Sequence, residues 1–150
     1  MKFFGACIVT CLALALQLRL KHAFGFAPDL TLAALITLGL FVNIGELIFL
    51  IFGSILILSW QPVLSWEIVW FGLIPLMSFS VYRFLPLQAW TANIASLSVG
   101  ILLFSLVLDP RFVIRDTLHF GELWLGALGF GIVLYYFFHL AFGKRPRSER

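Results

Sequence analysis

The sequence predicts an all-α, polytopic transmembrane bundle of about six short helices. Three observations lead there. Apolar residues fill 62% of the 150 positions, charged residues only 11%, and the mean hydropathy is +1.07. A soluble domain of this length needs far more polar surface than that. Apolar runs recur along the whole chain, separated by short polar turns. Finally, Trp60, Trp66, Trp70, Trp90 and Trp124 all fall near the ends of those runs, where an aromatic belt belongs. The chain reads as one integral membrane domain over 1–150, with a short basic tail at 144–150. Spans and turns use nearly all of it, so no separate soluble catalytic module fits.

The first segment is 4–20, stopped by Arg19, Lys21 and His22. Lys2, the apolar run and Ala13-Leu14-Ala15 also have the layout of a cleaved leader. The polar stop and the spans that follow favour a retained first span. Segments two and three are 30–42 and 47–60, with Asn43, Gly45 and Glu46 between them. Merged, they would form one helix of about 30 residues, about 45 Å long against a hydrocarbon core of about 30 Å. Glu46 would then lie near the bilayer centre at a cost of at least ~2.5 kcal/mol. A tight helical hairpin avoids both problems, so six helices are preferred and five remain the alternative. Segment four is 68–82, with Pro75 inside it as a kink point and Arg83 and Pro86 after it. Segment five is 87–108, closed by Asp109-Pro110, and segment six is 123–142.

Net charge is +3, and Lys144, Arg145, Arg147 and Arg150 lie in the tail. Such a cluster beside a span marks the cytoplasmic face and meets anionic lipid headgroups. With six helices, both termini share that face, and Lys and Arg divide six inside to four outside. With five, the division is seven to three. Nothing else makes a basic face, so nucleic acid is not an expected partner. Cys7 and Cys11 lie in the first apolar segment, outside any loop a disulfide framework would need.

Small residues recur at four-residue spacing. The first segment carries Cys7, Cys11 and Ala15, the fifth Ala92, Ser96 and Gly100, and the sixth Ala127 and Gly131. That spacing puts each set on one helix face, where backbones approach closely. The faces serve packing within the bundle or docking of a partner protein. The terminal helix is the better docking candidate.

Intramembrane catalysis usually leaves paired ionisable groups inside spans. No two acids share a helical face within a span here, so no catalytic residue, cofactor site or metal site is expected. Gly53-Ser54 with His139 does not make a serine-protease arrangement. Asp116, His119 and Glu122 could share a face of a short helix, but they read first as a solvated loop with Glu122 at a helix N-terminus. Asn43 and Glu46 read first as a surface turn and second as a polar spot within the bundle.

Six short helices with short loops, a basic tail, and Pro28-Asp29-Leu30 opening the second helix resemble the MreD family of rod-shape-determining membrane proteins. The resemblance covers the whole chain and implies no catalysis. It implies a bacterial inner-membrane scaffold with a cytoplasmic C-terminus that binds an MreC-like partner and the wall-elongation complex. Members commonly carry an acid in the third span, and Gly53-Ser54-Ile55-Leu56-Ile57-Leu58 has none. The chain is also similar in layout to the substrate-binding subunits of energy-coupling-factor vitamin transporters. Those dock a partner through a small-residue stripe on the first helix. That resemblance implies a small-molecule ligand.

Overall fold

The structure, a computed structural model, describes residues 2–24, 27–58, 66–84 and 88–142. It contains α1 (Lys2–Phe24), α2 (Leu30–Leu38), α3 (Ile44–Leu58), α4 (Trp66–Phe84), α5 (Ala89–Leu108), α6 (Pro110–Arg115) and α7 (Thr117–Phe142). No strand occurs among the described residues. The protein is an all-α bundle, and α1, α5 and α7 are each long and apolar enough to cross a membrane. Helix α3 is a shorter apolar helix. Trp60, Pro62, Pro86 and the basic residues of the tail lie outside the described residues.

The bundle is organised around α2. All nine of its residues are buried. The cause is compositional: LTLAALITL is apolar or small on every side, so no face prefers water. Helices α1, α3, α4, α5 and α7 all pack against it. At 1.5 Å per residue α2 is only about 14 Å long, well short of a hydrocarbon core. The hairpin expected from the sequence is therefore present but unequal. Its first arm is a short helix enclosed by protein, and its second arm is α3.

The turn between the arms is built from hydrogen bonds. Gly39 N–H still donates to Leu35 O at 3.1 Å, in helical register. Leu40 N–H then donates to Thr37 O and Phe41 N–H to Leu38 O, at 3.2 and 2.8 Å. These tighter, three-residue steps end the helix. Asn43 N–H donates to Glu46 Oε2 at 2.8 Å, one half of a capping box. Glu46 thus sits in the first turn of α3, where the helix dipole favours a carboxylate. The continuous helix of the five-helix alternative does not form.

Directions follow from side-chain neighbours. Leu47, early in α3, lies beside Gly39, while Ile51 and Ile55 lie beside Gly72 of α4. The Phe3 and Phe49 rings meet at 5.7 Å, and Phe142 packs beside Gly5. The described start of α1, the hairpin tip and the end of α7 therefore share one end of the bundle. The α1 C-terminus, the α2 N-terminus and α6 share the other.

Two expectations about residues 109–122 are corrected. They do not form a polar loop. Asp109 Oδ1 accepts from the N–H groups of Arg111 and Phe112 at 3.0 and 3.1 Å, and Pro110 takes the first helical position of α6. That is a strong helix start. Helix α7 then begins at Thr117 rather than 123. Trp124 and Glu122 consequently lie within α7, and neither marks its first turn.

A helix buried end to end must have its terminal backbone groups satisfied by neighbours. Gln17 of α1 accepts from Thr31 N–H through Oε1 at 2.9 Å. At the other end the turn bonds leave Ile36 O without a helical partner, and Tyr82 Oη of α4 approaches it at 3.4 Å. Tyr82→Phe should leave that carbonyl unpaired and cost roughly 1–3 kcal/mol. Gln17→Leu should act comparably on Thr31 N–H. Equilibrium unfolding in mixed micelles would show both losses, whereas a change at exposed Thr91 would leave stability unchanged.

Candidate functional site

The two small-residue faces singled out from the sequence behave differently. On α5, Ala92, Ser96 and Gly100 are buried and face the centre of the bundle. A Cβ on Gly100 would lie 2.8 Å from Ile36 Cδ1 and 2.9 Å from Ile74 Cγ2. Ser96 hydrogen-bonds the Tyr82 side chain, close to fully buried Asn93. Tyr82 Oη is 3.4 Å from Ile36 O and 3.5 Å from Asn93 Oδ1, yet it carries a single proton. With that proton given to Ile36 O, Tyr82 accepts from the Asn93 amide once Oδ1 and Nδ2 exchange places. The exchange gives the buried amide nitrogen a partner and moves its oxygen to the position that has none among the described residues. This face is internal structure.

On α1 the arrangement is reversed. The helix buries Ala6, Thr10, Ala13 and Leu14. Cys11 and Ala15 are exposed and Cys7 is half-buried. The stripe therefore looks outward, flanked by exposed Ile8, Leu12 and Leu16.

Pro28 and Asp29 lie in the link that leads into α2, and they border the second candidate region. A cavity of about 290 Å³ opens there, at the end of the bundle opposite the described chain ends. Ser105 and Asp109 bring polar groups to it from the end of α5. Phe112 of α6 and Phe120 and Trp124 of α7 add rings. The Trp124 indole N–H donates to Ser98 O at 3.3 Å, which ties the ring to α5. Trp124 is thus an interhelical tie.

Asp29 stands at the N-cap position of α2, but its side chain makes no capping bond. The side chain is half-buried, and desolvation raises its pKa to about 6, with Lys21 pulling in the opposite direction.

Elsewhere, His119 Nδ1 lies 3.6 Å from Glu122 Oε2, while Asp116 ends α6 and takes no part in that pair. Among the described residues no group of three His, Cys, Asp or Glu side chains is placed to hold a metal ion. His139 stacks on Tyr135 at 5.8 Å, with the rings 6° from parallel. Sequence reasoning isolated Asp29 but did not join it to Ser105, Asp109 and Trp124. The missing signal was Asp109-Pro110, which starts α6 and folds the connection back over the α2 entrance. No protein-family model, curated protein or solved structure matches the chain.

Two predictions follow from this geometry. Gly100→Val should destabilise the bundle by roughly 1–3 kcal/mol through overpacking against Ile36 and Ile74. Gly129→Val, where an added Cβ meets nothing within 4 Å, should be close to neutral. Thermal unfolding of the two variants in one detergent makes the comparison. The second prediction concerns pH. The folded pKa of Asp29 is raised, so between about 4 and 6 the folded state holds more protons than the unfolded state. Its contribution to stability must then fall as pH rises through that window and remain unfavourable above it. Asp29→Asn should therefore gain stability at pH 7–8 and flatten the pH profile between about 4 and 6. Melting temperatures across that range provide the check.

Proposed function

We propose that this protein is a non-enzymatic membrane subunit that docks a partner through the outer face of α1. The carrying observation is the exposure of Cys11 and Ala15, with Cys7 half-exposed beside them, while the equivalent face of α5 is consumed by internal packing. Small residues on an outward helix face let a second helix approach closely, and close approach drives association where lipid competes equally for apolar surface. The assembly that best fits is the bacterial cell-shape and wall-elongation complex. The chain would act there as an MreD-like scaffold for an MreC-like protein, in the inner membrane with its basic tail cytoplasmic. The length, the short connections and Pro28-Asp29-Leu30 support that assignment.

A second reading is favoured by the cavity beside Asp29. With the tail cytoplasmic, that cavity opens on the outer face, where a substrate-binding subunit of an energy-coupling-factor transporter would receive its ligand. The two readings differ in the partner. Gentle detergent extraction from native membranes, followed by mass spectrometry, should recover MreC-like, actin-like or wall-polymerase proteins. Recovery of ATPase and coupling subunits instead would replace the scaffold reading with the transport one. In either case Cys11→Leu with Ala15→Leu should reduce partner recovery tenfold or more and leave the melting temperature unchanged. Full recovery with the double variant would remove α1 as the docking face.

A further inference from the structure

The cavity beside Asp29 has a chemistry that neither resemblance specifies. Asp29 borders it from the link before α2 and is half-buried there. That carboxylate does not cap α2 and joins no salt bridge among the described residues. A partly desolvated carboxylate that no described donor bonds is unfavourable, and the cost falls when a cation lies against it. Asp109 contributes a second carboxylate. Its Oδ1 is occupied by the two N–H groups of α6, and its Oδ2 takes neither of those bonds. The remaining wall is mainly aromatic and aliphatic, with Phe112, Phe120 and Trp124 contributing rings.

Carboxylates and aromatic rings around one small space are the combination that recognises an ammonium group. The rings attract a weakly hydrated cation through their quadrupoles, and the acids supply the balancing charge. The volume of about 290 Å³ lies at the lower limit of ligand pockets, which suits a compact ligand and excludes a nucleotide or a large cofactor. Lys21, from the α1 side, is the basic residue whose field reaches Asp29. It is exposed and forms no salt bridge among the described residues.

We propose that this cavity binds a small organic cation, with its ammonium group held between Asp29 and Asp109 and among the rings of Phe112, Phe120 and Trp124. The ammonium could belong to a free solute or to a lipid headgroup, and the experiment separates the two. This site does not depend on the scaffold reading, because partner recovery and cation binding are measured independently.

The test is calorimetric titration of tetramethylammonium into the full chain, reconstituted in phosphatidylglycerol nanodiscs at pH 8. Saturable binding in the millimolar range or tighter is expected. Asp29→Asn should weaken it tenfold or more and Phe120→Leu severalfold, with melting temperatures confirming that both variants fold. The uncharged isostere 3,3-dimethyl-1-butanol should bind at least tenfold more weakly than choline. Wild-type affinity should fall as pH drops through about 6, where Asp29 takes up a proton. In nanodiscs containing phosphatidylcholine, weaker apparent binding of tetramethylammonium identifies the headgroup as the source. Unchanged binding identifies a free solute. Absence of saturable binding by the folded wild type, equal binding by Asp29→Asn, or equal binding of the uncharged isostere would overturn the proposal.

Discussion

The structure depends on one constraint: a nine-residue helix is buried over its whole length. Burial of LTLAALITL takes only two polar side chains out of solvent, Thr31 and Thr37, and of these Thr31 Oγ1 has no hydrogen-bond partner among the described residues. The backbone ends are the expensive part. A helix this short leaves much of its backbone outside the internal ladder, and neither water nor lipid can reach those groups at the bundle centre. The surrounding helices are arranged to meet that need. Gln17 serves the N-terminal end, Tyr82 serves the C-terminal end, and Thr37 donates to Gly131 O at 3.4 Å, linking the last turn to α7. Gly100 and Gly131 serve the same helix differently, by removing side chains where Ile36, Leu97 and Thr37 need the space.

This arrangement explains what the sequence disclosed and what it concealed. The all-α class and the separation of α2 from α3 were both legible. Hydropathy sets the class, and the cost of a mid-membrane Glu46 sets the break. The unequal arms were not legible, because an apolar run looks the same whether lipid or protein surrounds it. Only the complete absence of a polar side in 30–38 hinted at burial on all sides. The small-residue spacing on α1 and α5 was equally visible in both helices, yet one face is internal and the other external. Spacing fixes a face, and the neighbours decide where it points. In contrast, α6 was legible in principle. Asp109 followed by Pro110 is a capping residue followed by a residue already set for the first helical turn.

The polar groups at the two ends of α2 differ in kind, and the difference separates structure from site. At the hairpin tip, Glu46 accepts from the Asn43 backbone N–H three residues earlier. Tyr82, Asn93 and Ser96 close a network inside the bundle. Polar groups packed against one another in this way help fix the arrangement of the helices. At the opposite end the capping position is held by Asp29, a residue type suited to bonding the first N–H groups of the helix. Its side chain forms no such bond. Gln17 reaches across from α1 to take Thr31 N–H instead.

That substitution frees the Asp29 carboxylate from capping while leaving it half-buried, and the shape of the nearby chain gives the carboxylate a setting. Helix α6 begins as soon as α5 ends, and α7 follows after a single residue, so the connection stays close to the bundle mouth. It carries Phe112 and Phe120 to the same small volume that Asp29 borders. A connection serving only to reverse the chain could be shorter and more polar. Here it builds a wall. The two outward features of the molecule, the α1 stripe and this cavity, therefore use surfaces that the burial of α2 does not require. A partner on α1 and a ligand beside Asp29 can be accommodated without disturbing the caps that hold the central helix in place.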